Sequence, residues 1–149
     1  MPSALAADPT QASPLAPQNA PPAPAQQTAA PAYDMTNYNA AMSQMQLNPQ
    51  EQQLYQMHLS NLYGTGGVNN PDGSRSSLYQ ITANFDGQTY VIPTVWSGQI
   101  LPPDQAIQMA KQYGLDKFPA YGSDQEAEAR YQQMHGYMEK DTQTWKAQQ

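Results

Sequence analysis

Cysteine is absent from all 149 residues, which excludes a disulfide scaffold and a thiolate zinc site. Charge is scarce, with six Lys and Arg against twelve Asp and Glu. Neither sign forms a run, so there is no basic stripe to release phosphate counterions, and direct nucleic-acid binding is not expected. No apolar stretch approaches the roughly 20 residues that cross a bilayer, so no membrane association is expected. Met1–Asp8 lacks a basic stretch followed by a sustained apolar run, which predicts no secretory signal. Metal-ligand clusters are missing from the sequence pattern, and no nucleophile can be placed beside a base from residue order alone. These absences point away from an enzyme and toward a docking or structural component without cofactor or metal.

What is present divides the chain in three. Residues 1–32 hold eight of the fourteen prolines and almost no large apolar side chains. Such a segment cannot bury enough surface to offset roughly 1–2 kcal/mol of ordering entropy per residue. It predicts a disordered Pro/Ala/Gln-rich arm. Residues 33–47 change to tyrosine, methionine, asparagine and glutamine, with Met35, Tyr38, Met42 and Met45 at helical spacing on a polar segment whose one charged residue is Asp34. That stripe predicts a linker helix, which either packs on its own domain or orders on a partner whose groove the methionines fill. Residues 48–149 predict a small α+β module.

Within the module, Asn48-Pro49-Gln50-Glu51 is a capping box with proline at the first helical position. It predicts a helix to about Tyr63, with Leu54, Tyr55, His58, Leu59, Leu62 and Tyr63 on its apolar face and Gly64 ending it left-handed. A loop rich in turn formers follows, from Gly64 to Ser74. Tyr79, Ile81, Ala83 and Phe85 then alternate, as do Tyr90, Ile92 and Thr94. Asp86-Gly87 between them predicts a type I′ hairpin pairing Ala83 with Tyr90, Ile81 with Ile92 and Tyr79 with Thr94. Ser97-Gly98 predicts a second turn into a third short strand, Gln99 to Leu101. Pro103 to Tyr113 predicts a helix stopped by Gly114. Ser123-Asp124-Gln125-Glu126 is a second capping box, opening a last helix with Ala127, Tyr131, Met134 and Met138 inward. The expected architecture is a small antiparallel meander packed against about three helices.

Several of these segments, taken in order, carry a resemblance. They are Asn70-Pro71-Asp72-Gly73-Ser74, Ile92-Pro93-Thr94-Val95-Trp96, Ala106-Ile107, Gly114-Leu115-Asp116-Lys117-Phe118-Pro119, Glu126 to Tyr131, and Met134-His135. Over roughly Leu47 to Asp141 the chain resembles a small module of tailed-bacteriophage proteins, including virion-associated, internal and tail-linked ones. Pro102 departs from it, standing where a small polar cap would precede the helix. The resemblance implies a structural or assembly role in a virion, with portal, tail, capsid or internal proteins as partners and the particle setting the oligomeric state. It implies location in the virion, and in the host cytoplasm during assembly. Alternatives are a protein ejected with the genome, a regulator of a host protein outside the particle, and, least favoured, a cell-wall-degrading enzyme. No catalytic residue is carried over.

The residues that could do chemistry have simpler readings. The glycine loop lacks the Gly-Lys-Ser/Thr of a phosphate loop and leads into a strand, so it reads as turns. Asn69, Asn70, Asp72 and Ser74 lack the spacing and closing glutamate of a hand-type calcium site. His58 on an apolar stripe reads as a hydrogen-bonded core residue. His135 and Glu139 share a helix column and read as a surface pair. Asp104, Asp116, Asp124, Glu126 and Glu128 mostly suit helix N-termini, where negative charge complements the dipole. Arg75, the first basic residue of the chain, reads as a pin for its loop, ahead of an interface anchor. Tyr90, Trp96 and Tyr121 read as core, with an exposed docking patch as the alternative. The partner-binding candidates are therefore Met35, Tyr38, Met42, Met45, Arg75, Tyr90, Trp96 and Tyr121.

Overall fold

Helix α1 (Thr36–Met45) turns at Gln46, whose left-handed φ of 55° sends the chain into helix α2 (Pro49–Tyr63). The computed structural model describes residues 33–149, so the arm expected over residues 1–32 lies outside the described residues. The segment read as a linker helix belongs to the same unit as the rest, Tyr33–Gln149. Of its stripe, Tyr38 is buried together with Ala41, Met42 and Met45 are half-buried, and Met35 is exposed. A helix this short gains stability mainly from such packing.

Both expected capping boxes operate, one in altered form. Asn48 Oδ1 accepts the Glu51 N–H at 2.8 Å, and Glu51 Oε1 accepts the Asn48 N–H at 3.0 Å. Ser123 Oγ accepts the Glu126 N–H at 3.1 Å and opens α4 (Asp124–Ala147), but Glu126 Oε1 takes its return bond from Gly122, one residue before the cap. Between them lies α3 (Pro103–Tyr113), with bounds as expected and no side-chain cap at Pro102. Gly64 ends α2, yet at φ −102° rather than left-handed. The reason is Arg75, whose guanidinium donates to the carbonyls of Asn61, Leu62 and Gly64. It does for the helix end what a left-handed cap would do.

The fold is α+β, and among the described residues the strands form three small antiparallel sheets. β1 (Val68–Asn69) pairs with β2 (Arg75–Ser76) across the Asn70–Ser74 turn. β3 (Ile81–Phe85) and β4 (Gln88–Ile92) form the expected hairpin, with Ile81 opposite Ile92 and Ala83 opposite Tyr90. Asp86 and Gly87 have φ of 52° and 77°, as a type I′ turn requires. The third expected pair fails, because Tyr79 has φ 45° and swings its ring into solvent, 66% exposed. Thr94 bonds instead to the carbonyls of Leu78 and Tyr79.

A continuous meander is also corrected. Pro93 brings no N–H to extend the ladder, and β5 (Val95–Trp96) folds back on β6 (Gln99–Ile100) as a hairpin of its own. The third strand beside β4 is β7 (Ala120–Tyr121), which follows α3 and a 3-10 turn at Leu115–Lys117. The core gathers Leu54, Tyr55 and Leu59 of α2, Val91 and Ile92 of β4, Ala110 of α3, Phe118, and Ala127, Met134 and Met138 of α4.

Two glycines separate two kinds of constraint. Gly87 has open space around an added Cβ and is held only by its positive φ. A Cβ at buried Gly67 would stand 2.6 Å from the Asn61 carbonyl oxygen and 2.8 Å from Arg75 Nε, inside the clamp that closes α2. Gly87→Ala should cost about 1–2 kcal/mol from backbone strain, and Gly67→Ala more, because it displaces Arg75 as well. Urea denaturation of both variants checks the order, and equal losses would refute the clamp.

Candidate functional site

Among the described residues, two acidic side chains lie completely inside the protein, and both join α2 to α4. Glu51 is 0% exposed. Arg130 grips it from both sides, Nε to Oε2 at 2.9 Å and Nη2 to Oε1 at 2.7 Å, while Tyr121 O–H donates to Oε2 at 2.7 Å. Burial works to raise the Glu51 pKa, but the bonds from Arg130, Tyr121 and the Asn48 N–H outweigh it and hold the carboxyl below its usual range. Arg130 also donates to the Met45 carbonyl at 3.2 Å, bringing the end of α1 into the same cluster.

Asp141, 1% exposed, anchors the other end. Its Oδ2 accepts the Tyr55 O–H at 2.5 Å and lies 3.1 Å from His58 Nε2, and its Oδ1 accepts from Asn37 Nδ2 at 3.0 Å. A carboxylate offers only lone pairs, so the His58 proton sits on Nε2 and Nδ1 is left as an acceptor. That nitrogen faces the Ser77 hydroxyl at 2.5 Å. Burial pulls the His58 pKa below its ordinary value, against the opposite pull of Asp141. The result is a serine, a neutral imidazole and a carboxylate joined in line, with every hydrogen bond running the same way.

Ser77 opens into a cavity of about 300 Å³ between the β2–β3 connection and α4. Tyr131, His135 and Glu139 form the α4 side, and Tyr79 and Gln80 part of the other. His135 and Glu139 approach to 3.9 Å and are about half exposed. Gln80 Nε2 is buried without a hydrogen-bond partner, as is Tyr63 Oη elsewhere.

The residues singled out from sequence fall in different places. Arg75 pins its loop through backbone carbonyls and Asn69 Oδ1, with its guanidinium 5.6 Å from the Trp145 ring. Tyr121 is buried on Glu51, whereas Trp96 is half-buried against Tyr113 and Phe118. Tyr90 lies near Phe85 on the hairpin, with ring centroids 6.1 Å apart. These aromatics therefore do not combine in one exposed patch. In the turn loop, Asn70, Asp72 and Ser74 bond to one another.

A hydroxyl within hydrogen-bond reach of a histidine, which residue order alone could not place, is found at Ser77. Residue order gave little signal, since His58 lies 19 positions away and Asp141 another 83 from that histidine. The available hint was a histidine on a buried helix face, which must find polar partners. No protein-family model, curated protein or solved structure matches this chain.

Acid should unfold the protein in two stages. His58 has its folded pKa below the ordinary 6.5, faced by Tyr55 on its own helix, Ser77 beside it, and Asp141 and His135 on α4. Its neutral form is favoured in the fold, so stability is intact above about pH 6.5 and falls as pH drops through the lower folded value. Glu51, held below its ordinary 4.5, adds a second loss beneath that pH. Melting temperature followed by circular dichroism from about pH 8 to about pH 3 should show both, and His58→Gln should remove the upper stage. Arg130→Met, which strands a buried carboxylate, should cost about 2–4 kcal/mol at neutral pH, allowing for the partial exposure of the guanidinium. A single acid transition unchanged by His58→Gln would contradict this account.

Proposed function

We propose that this protein is a minor bacteriophage virion component, acting by docking on other particle proteins. The observation that carries the reading is that the segments resembling phage virion modules supply turn-closing and buried parts of the frame. Asn70–Ser74 closes the β1–β2 turn, with Asn70 N–H donating to the Ser74 carbonyl at 2.8 Å. Val95 and Phe118 are buried in the interior, and Arg130 clasps Glu51. The resemblance is thus to a scaffold, and a scaffold suits repeated placement within an assembly.

In this reading the module sits on a portal, tail, capsid or internal protein. Residues 1–32 supply a Pro/Ala/Gln-rich segment able to cover a neighbour's surface and order there. The methionine-bearing helix has another task. Tyr38 and Ala41 are buried and Asn37 bonds to Asp141, so α1 completes the module and is not free to thread along a partner.

Two truncations separate these roles. Removing residues 1–32 should leave the melting temperature nearly unchanged but weaken incorporation into particles. Removing residues 1–46 should also uncover the α4 face that α1 covers, costing about 3–5 kcal/mol. Quantitative mass spectrometry of purified particles, before and after triggered genome release, reads incorporation. A protein retained after release belongs to the lasting structure, and one lost on release is ejected. Absence from particles altogether would overturn the virion reading.

A further inference from the structure

We propose that Ser77 is a nucleophile with His58 as its general base, and that the cavity it faces accepts a small neutral acyl ester. The inference stands on geometry and holds whether or not the protein is carried in a particle. A hydroxyl becomes a competent nucleophile when a neighbouring base can take its proton and a third group orients that base. Here Ser77 Oγ lies 2.5 Å from His58 Nδ1, and His58 Nε2 lies 3.1 Å from Asp141. The imidazole presents Nδ1 to the serine and Nε2 to the carboxylate, but either ring nitrogen can serve as base once the other carries the proton.

The surroundings hold this line in place. Asn61 Nδ2 donates to the Ser77 carbonyl at 2.9 Å, and the Leu78 carbonyl accepts from Thr94 and Val95. Asp141 is fixed by Tyr55 and Asn37. A purely structural latch explains those bonds. It does not explain why Gln80, a residue that lines the same cavity three positions from the serine, has an amide nitrogen closed off from solvent and without a hydrogen-bond partner. Turned toward the cavity, this unused donor suits the oxygen that gains charge when a carbonyl is attacked. Tyr79 stands between the two with φ 45°, a left-handed backbone that costs energy for a tyrosine and breaks the strand alternation there.

The charge near the cavity selects the substrate class. The Arg75 guanidinium is occupied by three carbonyls and Asn69, leaving it little to offer an anion. Glu139 on the α4 side disfavours one further. A neutral ester therefore fits better than a carboxylate- or phosphate-bearing substrate.

The chemistry closes on itself. Ser77 Oγ bonds to the ester carbonyl carbon as its proton passes to His58 Nδ1, and the carbonyl electron pair moves onto the oxygen beside Gln80. Collapse breaks the ester C–O bond, and the alcohol leaves with the proton from His58. Water then attacks the acyl-serine and gives its proton to His58. The carboxylic acid is released as that proton returns to Ser77.

The test is covalent labelling of the full-length protein with a fluorophosphonate, which displaces fluoride on an activated serine, read by peptide mass spectrometry. The expected result is an adduct on Ser77, absent in Ser77→Ala and retained in Ser76→Ala. Hydrolysis of p-nitrophenyl acetate should fall about 100-fold or more in Ser77→Ala and at least about tenfold in Gln80→Ala. Circular dichroism shows whether each variant is folded. Wild-type protein that takes no label on Ser77, or labels Ser74 and Ser76 equally well, would overturn the proposal.

Discussion

Burying a carboxylate is tolerable only where donors replace the water it loses, and this protein does so twice along one helix–helix contact. Glu51 meets Arg130, and seven residues further along α2 His58 meets Asp141. The two contacts occur in the same order on both helices, so α2 and α4 run alongside each other in the same direction. α1 runs the opposite way, with its first turn at Asp141 and its end at Arg130. Three helices are thereby set in register by two anionic points, while the apolar contacts between them fill the space. Most of the binding energy is apolar burial, which is non-directional. The charged bonds select one arrangement among the packings that burial alone would allow.

That register also shapes the cavity. Because Asp141 is held from α1 and α2 together, the face of α4 bearing Tyr131, His135 and Glu139 stands opposite the β2–β3 connection. Arg75 holds the base of that connection by its bonds to the end of α2, and Thr94 and Val95 hold Leu78 from the other side. Ser77 is therefore fixed from both directions, and its hydroxyl meets the histidine without having to be brought there. The same arrangement serves folding and any chemistry at Ser77, so removing His58 or Asp141 would disturb both. Ser77 and Gln80 can be altered with less injury to the frame, since both are half-buried.

Much of the local structure was legible in the sequence because it depends on neighbours. The Asn48 box, the Asp86-Gly87 turn with its two positive φ values, the hairpin register at Ile81 and Ala83, and the bounds of α3 all follow from rules that act within a few residues. Errors began where a distant group took over a local task. Arg75 replaced the left-handed cap at Gly64, and Ala120–Tyr121 filled the sheet edge expected of Gln99–Leu101. In each case the local pattern was satisfied by whichever partner the packing brought nearest.

Sequence by itself determined the helices, the main hairpin, the lack of disulfide and thiolate chemistry, and the acidic, sparsely charged character of the chain. These depend on residue type and short-range geometry. Only the tertiary structure decided that Ser77, His58 and Asp141 meet, that Glu51 lies buried between Arg130 and Tyr121, and that α1 belongs to the module. Those outcomes rest on contacts between residues as many as 104 positions apart. No periodicity records such separations, because what brings the groups together is the burial of other residues.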